Sequence, residues 1–190
     1  MCKRCNGTRS QPFDRAYETF IDYVETNQDR ILTSKEIDLR EVFGRDAWEE
    51  QALNVGREVA KHAGGRLADW KLLAPAGVRE FLLDGEPFPA CLAVWLEIRT
   101  DLAETAKWAR EQGLVDGTLW ICKYPREVHT EAGEQVGIAG FLGFRWLRIY
   151  WVIGSDLIGA RNPFTAPTIK LSEGRNTLQG KLSVFEGSDW

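Results

Sequence analysis

The stretch that decides the fold runs from Val136 to Gly154 and reads VGIAGFLGFRWLRIYWVIG. It is the most apolar and most aromatic part of the chain, and it is as long as a membrane-spanning helix. Arg145 and Arg148 lie at its centre, however, and each would cost roughly 2.5–3.5 kcal/mol inside a bilayer. Three glycines and a run of bulky aromatic residues are typical of a sheet. The stretch therefore predicts a buried strand and not a membrane span.

From Phe144 onward the pattern has the period of two that a strand requires. One predicted face carries Phe144, Trp146, Arg148, Tyr150 and Val152. The other carries Arg145, Leu147, Ile149, Trp151 and Ile153. An arginine between aromatic rings suits stacked bases and phosphates, so the first face could bind single-stranded nucleic acid. The alternative is that helices cover this face and its aromatic side chains belong to the core.

The run Gly143 to Leu147 resembles the ribonucleoprotein signature of RNA-recognition motifs. It departs from that signature at Leu142, where a basic residue belongs, at Arg145, where a small one does, and at Ile149, where an aromatic one does. Because the resemblance is confined to this short run, we transfer nothing else from that family.

Glycines recur at every third residue ahead of the aromatic run, at Gly137, Gly140 and Gly143. The spacing matches neither the dinucleotide-binding pattern nor the phosphate-binding loop of nucleotide hydrolases. Glycines at such positions usually mark a bend, a bulge or a close approach of two backbones. We expect one of these just before the strand.

The charge of the chain is distributed unevenly. The 190 residues carry a net charge of −4 with a pI of about 5.4, which is not the profile of a protein that coats DNA. The segment from Asp14 to Glu50 is rich in carboxylates, whereas the segment from Arg145 to Lys181 is basic. The basic segment adds Arg161 and Arg175 to the predicted nucleic-acid surface, and the acidic helices could contact a protein partner.

Helical patterns fill the first half of the chain and strand patterns the second. A helix is predicted from Ser10 to Asn27, and a capping box at Thr33–Glu36 predicts a second one that ends at Gly44. A third should end at Gly64–Gly65. Further predictions are a strand at 67–73, a short helix at 75–83, a strand at 88–98, a helix from Thr100 to 112, and a polar loop at 124–135.

The order of these elements predicts an α+β fold, with a helical N-terminal half packed on a mainly antiparallel sheet from the C-terminal half. We expect a single domain over residues 1–190. Within it, 1–9 would be a zinc-binding appendage, 10–65 the helical part, and 66–190 a mixed part that ends in strands.

The N-terminus carries a possible metal site. Cys2 and Cys5, followed by Gly7, resemble one repeat of the zinc-binding type found in DnaJ-like chaperones, with Arg9 in place of the last glycine. No second C-x-x-C occurs in the sequence, so the resemblance implies metal binding and not a chaperone.

A tetrahedral zinc site needs two further ligands. Cys122 and His129 are the best pair, because they flank a short segment that could fold back. Cys91 fits a core position, and His62 fits the solvated end of a helix. Two free thiols, or a site that another chain completes, are the alternatives.

Enzyme signatures are scarce. The sequence contains no H-E-x-x-H, no G-x-S-x-G and no Walker loop. Asp84, Glu97 and Arg99 resemble the carboxylates and lysine of metal-dependent nucleases, but an arginine replaces the lysine. A nucleophilic Cys122 paired with His129 is a further possibility.

We therefore predict a small non-enzymatic binding protein that contacts single-stranded nucleic acid, or a nucleic-acid–protein assembly, through the aromatic and basic strand. A metal-dependent nucleic-acid hydrolase and a protein–protein adaptor or inhibitor that acts through the acidic helices are the alternatives. The absence of an apolar run after the first basic residues, and of a span, leads us to expect a cytoplasmic protein without a membrane partner.

Overall fold

The computed structural model describes residues 8–83, 85–113, 126–129, 132–154, 157 and 162–174. The helices are α1 (Gln11–Thr26), α2 (Gln28–Ser34), α3 (Leu39–Phe43), α4 (Trp48–Asp69), α5 (Ala76–Leu83) and α6 (Thr100–Glu111). The strands are β1 (Glu36–Asp38), β2 (Leu92–Arg99), β3 (Arg126–His129), β4 (Gln135–Phe144), β5 (Leu147–Gly154), β6 (Thr168–Lys170) and β7 (Ser172–Gly174). Helices dominate the first half and strands the second, which confirms the predicted α+β fold.

Two sheets organise the strands. The larger has the order β3-β4-β5-β2-β7, and its pairings are antiparallel except that β7 runs parallel to β2. The smaller pairs β1, from within the helical half, with β6 near the other end of the described chain. Residues 126–129 were predicted as part of a loop, but they form β3 because they pair with β4.

The central stretch is a hairpin and not one strand. β4 ends at Phe144, Arg145 and Trp146 form a two-residue loop, and β5 begins at Leu147. Arg145 has a φ of 47°, the left-handed conformation that tight hairpin loops demand. The loop breaks the predicted alternation at its start, because it makes Phe144 the direct partner of Leu147 and so places Phe144 on the face opposite Arg148. From Leu147 onward the alternation is found, and Leu147, Ile149, Trp151 and Ile153 lie in the core as predicted.

One face of the large sheet joins the helices in the main core. It contributes Leu92, Val94, Leu96, Ile98, Ile138, Leu142, Phe144, Leu147, Ile149, Trp151 and Ile153. The apolar stripe of α1 and the middle of α4 pack into the same core, as predicted for Phe20, Ile21 and Val24. An ion pair of 2.5 Å between Arg145 and Glu25 ties the hairpin loop to α1.

Gly137 and Gly140 both permit close approach, and at Gly137 it is the backbone approach that was expected. A Cβ on Gly140 would lie within 2.9 Å of three atoms of the Trp151 ring. A Cβ on Gly137 would lie 2.6 Å from the carbonyl oxygen of Ile153 in the paired strand. These positions belong to β4 itself, so the glycines shape the sheet and not a bend before it.

The second predicted helix begins five residues later than its capping box indicates. Thr33 and Ser34 end α2, and Lys35 closes that helix in the left-handed conformation with a φ of 57°. The next residues pair with β6, and α3 starts after Asp38, whose carboxylate accepts a hydrogen bond of 2.9 Å from the Arg40 N–H. Its predicted end at Gly44 is confirmed.

Helix α4 continues through Gly64 and Gly65 to Asp69, so the predicted stop there and the predicted strand at 67–73 are both wrong. Each of the two glycines destabilises a helix by about 1 kcal/mol. Burial of Leu67, one turn later, stabilises the longer helix and offsets this cost. The chain then leaves the helix through a Schellman turn. The N–H of Lys71 donates to the Ala68 carbonyl at 2.9 Å, and the N–H of Leu72 donates to the Leu67 carbonyl at 2.9 Å.

Lys71 occupies the left-handed position of this turn, with a φ of 61°. Glycine adopts that conformation without strain, so Lys71→Gly is expected to raise the free energy of unfolding by about 0.5–1 kcal/mol. Urea unfolding measures the change. The control is Lys107→Gly in the interior of α6, where the same substitution should cost about 0.7 kcal/mol. Destabilisation by Lys71→Gly would contradict the assignment of the turn.

Candidate functional site

The four strand residues that were predicted to bind nucleic acid do not share one surface. Phe144 and Trp146 lie in the core with the helices, whereas Arg148 and Tyr150 lie on the other face of the sheet. Each of the four is at most 4% exposed. The expected solvent-facing strand surface is therefore absent, and nucleic-acid binding by these residues stays a prediction. Arg161 and Arg175 lie outside the described residues.

Strand register brings a polar and aromatic group together on the face opposite the main core. Trp95 of β2 is the direct partner of Tyr150, and Phe141 of β4 faces Tyr150 from the other side. The rings of Trp95 and Tyr150 are stacked at 5.2 Å and 12°, and the Phe141 ring lies 5.6 Å from that of Tyr150. Together with Glu97 and Arg148, these residues form what we call the sheet-face cluster.

Glu97 is the buried acid of the sheet-face cluster. The Tyr150 hydroxyl donates a hydrogen bond of 3.2 Å to its Oε1. The backbone of β7 covers the carboxyl so closely that a Cβ on Gly174 would lie 2.7 Å from Oε2. Burial raises the pKa of Glu97, and the Tyr150 hydrogen bond and the charges of Arg99 and Arg148 reverse only part of that effect. The carboxyl therefore keeps its proton to a higher pH than an ordinary glutamate does.

Arg148 is a buried cation, and its guanidinium contacts backbone carbonyls and an aromatic ring. Its Nη1 donates to the carbonyls of Arg145 at 3.0 Å and Leu147 at 3.2 Å, and its guanidinium lies 5.3 Å from the centre of the Phe141 ring. Burial lowers its pKa. Glu97 stands directly opposite on β2, yet the ion pairs among the described residues include none between the two. The two side chains therefore have different hydrogen-bond partners, although each charge still acts on the pKa of the other group.

Arg99 lies at the end of β2, next to the sheet-face cluster. Its guanidinium holds the Asp101 carboxylate through two hydrogen bonds of 3.1 and 2.7 Å, and its backbone N–H donates to the Trp146 carbonyl at 2.7 Å. Partial burial acts to raise the pKa of Asp101, but the Arg99 contacts hold it below its usual value. Arg99 is therefore engaged with a carboxylate, and its charge also acts to lower the pKa of Glu97, two residues earlier on the same strand.

The predicted metal ligands are only partly described. His129 is exposed on β3, with its Nε2 3.6 Å from the Glu127 carboxylate. Cys2, Cys5 and Cys122 lie outside the described residues, as does Asp84 of the hydrolase alternative. Within the described part of the chain, no three His, Cys, Asp or Glu side chains are grouped so that they could hold a metal ion. Zinc binding and hydrolysis both stay predictions.

His62 does not lie at a solvated helix end, because α4 continues for two more turns. Burial lowers its pKa to about 4, and the positive charge of Arg66 acts in the same direction. The imidazole is therefore neutral in the folded protein over most of the acidic range.

This lowered pKa makes the fold less stable in mild acid. The unfolded chain binds a proton on His62 near pH 6.5, whereas the folded chain does so near pH 4, so stability is lost as the pH falls between those values. Relative to His62→Gln, we expect the unfolding equilibrium constant of the wild type to be about twentyfold larger at pH 5 than at pH 7. Urea unfolding of both proteins at the two pH values measures this ratio. The same dependence of stability on pH in the wild type and in His62→Gln would contradict the expectation.

A second candidate site was missed by sequence analysis. The turn that ends α4 exposes three large apolar side chains within four residues: Trp70, Leu72 and Leu73. Leu73 is 94% exposed. We call Trp70–Leu73 the apolar turn. The sequence shows these side chains as the run Trp-Lys-Leu-Leu. Their exposure, however, can be predicted only when the helix is known to end at Asp69.

Comparison with protein-family models, curated proteins and solved structures found no significant match to this chain. No helix in the described ranges is both long enough and apolar enough to cross a membrane.

Proposed function

We propose that the chain is a small non-enzymatic binding protein, and that it engages a protein partner through the apolar turn. The observation that carries this proposal is the exposure of Leu73 beside Trp70 and Leu72. Single exposed apolar residues are ordinary, but a group of them on one rigid turn is typical of an interaction site.

The energetics favour a protein contact at this turn. Full burial of a leucine side chain contributes roughly 1.5–3 kcal/mol, and tryptophan is over-represented among the residues that dominate binding energies. The Schellman hydrogen bonds hold the turn in one conformation, which reduces the entropy lost on binding.

The rim of the turn suggests what kind of surface it meets. Lys71 and Asp69 are both exposed, and Asp69 also lies 3.3 Å from Arg66. Charges of both signs thus surround the apolar side chains. The matching partner is a protein surface with an apolar depression and a mixed polar rim, and not a uniformly anionic polymer.

Site-specific photocrosslinking tests the proposal. A photoreactive phenylalanine analogue at position 73 should give a discrete crosslinked protein in a lysate of the source cells, and nuclease treatment should not change it. The same probe at the exposed Lys107 of α6 is the matched control. Trp70→Ser should remove the product formed at 73. The same product from both probe positions, or its persistence in Trp70→Ser, would contradict the proposal.

Single-stranded nucleic acid is a second candidate partner, favoured by the stack of Trp95 on Tyr150 beside Arg148. Trp95 is half-buried, so it is the accessible member of the sheet-face cluster. Tryptophan fluorescence, titrated with short DNA and RNA oligonucleotides at two salt concentrations, tests this. Saturable quenching that weakens with salt and is lost in Trp95→Phe supports it. An unchanged signal means that the cluster serves only the fold.

A further inference from the structure

A lysine lies between two carboxylates where α1 meets α4. The Nζ of Lys61 donates a hydrogen bond to Oδ1 of Asp14 on α1 and lies 2.5 Å from Oε2 of Glu58, one turn earlier on α4. The Ser10 hydroxyl donates to the other Asp14 oxygen at 3.2 Å. One ammonium thus bridges acids from two helices, and with both acids ionised the group carries an excess negative charge.

Two of the three charged side chains are largely shielded from water. The side chains of Lys61 and Glu58 are 18% and 17% exposed, and that of Asp14 is 40% exposed. The hydroxyl of Tyr17, on the next turn of α1, is buried and has no hydrogen-bond partner among the described residues. The nearby Arg57 is directed elsewhere, since it donates to the Phe81 carbonyl of α5 and to Asn54.

These surroundings move the pKa values of the two acids in opposite directions. Burial raises the pKa of Glu58 to about 7; Asp14 acts in the same direction and Lys61 opposes it. Partial burial acts to raise the pKa of Asp14, but hydrogen bonds from Lys61 and Glu58 hold it below its usual value. Burial and the charge of Glu58 also raise the pKa of Tyr17, which stays neutral. The excess charge is therefore removed by a proton on Glu58.

We propose that Asp14, Glu58 and Lys61 form a proton-linked clamp, in which a proton held between the two carboxylates sets how firmly α1 packs on α4 near neutral pH. Below neutral pH the protonated Glu58 and the ionised Asp14 balance Lys61. Above it the second carboxylate ionises in a shielded site beside the buried Tyr17 hydroxyl, and the packing of α1 weakens.

The sign of the effect follows from linkage. The unfolded chain releases the Glu58 proton near pH 4.5 and the folded chain near pH 7, so the stabilisation present below pH 4.5 is lost as the pH rises through 7. Between pH 6 and pH 8, this group should increase the unfolding equilibrium constant about tenfold. His62 acts in the opposite direction over part of that range, and comparison with a Glu58 variant cancels its contribution.

Urea unfolding at pH 6 and pH 8 provides the first test. The unfolding constant of the wild type, divided by that of Glu58→Gln, should rise about tenfold between the two pH values. Glu18→Gln, an exposed acid one turn after Asp14 on α1, should behave as the wild type does. A ratio for Glu58→Gln that does not change with pH would overturn the proposal.

NMR titration of the glutamate side-chain carboxyl carbons tests the clamp in the folded protein. The Glu58 signal should titrate near pH 7. Asp14→Asn should move its midpoint down, and Lys61→Met should move it up, because one neighbour is an anion and the other a cation. Slowed hydrogen exchange of α1 amides at pH 6 relative to pH 8, after correction for intrinsic rates, should accompany the titration. A midpoint near 4.5, or shifts of the same sign in both variants, would overturn the proposal.

Discussion

Replacement of Gly140 by alanine is expected to lower the free energy of unfolding by about 3 kcal/mol. The added Cβ would lie within 2.9 Å of three atoms of the Trp151 ring. Trp151 is fully buried between the sheet and the helices, so the ring has no free space to move into. Strain must therefore spread into the β4–β5 pairing at the centre of the sheet.

Urea unfolding of a matched pair of variants tests this expectation. Gly64→Ala makes the same chemical change in α4, where a Cβ meets nothing within 4 Å, and it should stabilise the protein by about 1 kcal/mol. In a Trp151→Leu background, Gly140→Ala should cost less than about 1 kcal/mol, because the clashing ring is gone. Equal costs of Gly140→Ala in both backgrounds would contradict the proposed contact.

Replacement of Glu97 by alanine should lower the free energy of unfolding by a similarly large amount. Replacement by glutamine, which has the same shape, should be tolerated. Glu97→Ala removes the acceptor of the Tyr150 hydroxyl and leaves a cavity under β7. The expected loss is about 3 kcal/mol. Glu97→Gln keeps the shape of the protonated acid that burial favours, and should cost less than about 1 kcal/mol.

The free energies of unfolding of the two Glu97 variants at pH 6 distinguish the two roles of the side chain. A loss from Glu97→Gln as large as that from Glu97→Ala would mean that the ionised form is required. Incubation of both variants with single-stranded DNA and Mg²⁺ or Mn²⁺ adds a second readout. Cleavage by the wild type that a folded Glu97→Gln lacks would support the hydrolase alternative over the binding function.

The sequence pattern correctly predicted the helices and strands that depend mainly on residues close together in the chain. The apolar stripe of α1, the short helix at 75–83, the helix from Thr100 and the strand at 88–98 were each predicted, and each corresponds to an element that is found. The β4–β5 hairpin was not predicted, because its loop consists of Arg145 and Trp146 and lacks the glycine or asparagine that usually marks a tight loop. The length of α4 was not predicted either, because packing of Leu67 overrides a Gly-Gly stop.

The candidate sites depended on longer-range information. Arg148 and Tyr150 were identified from the sequence, but their true neighbours, Trp95, Glu97 and Phe141, come from strands whose register no local pattern encodes. The clamp joins residues 14, 58 and 61 through the packing of two helices. The exposure of the apolar turn follows from where α4 ends, which the sequence pattern placed too early.

The small β1–β6 sheet constrains when the protein can finish folding on the ribosome. Its two strands are separated by about 130 residues, so at typical rates of synthesis β1 emerges on the order of ten seconds before its partner. Until then the helical half exposes the edge of β1 and the side chain of Ile37, which is buried in the finished protein. The nascent chain thus offers an unpaired strand edge to chaperones or to neighbouring chains during that interval.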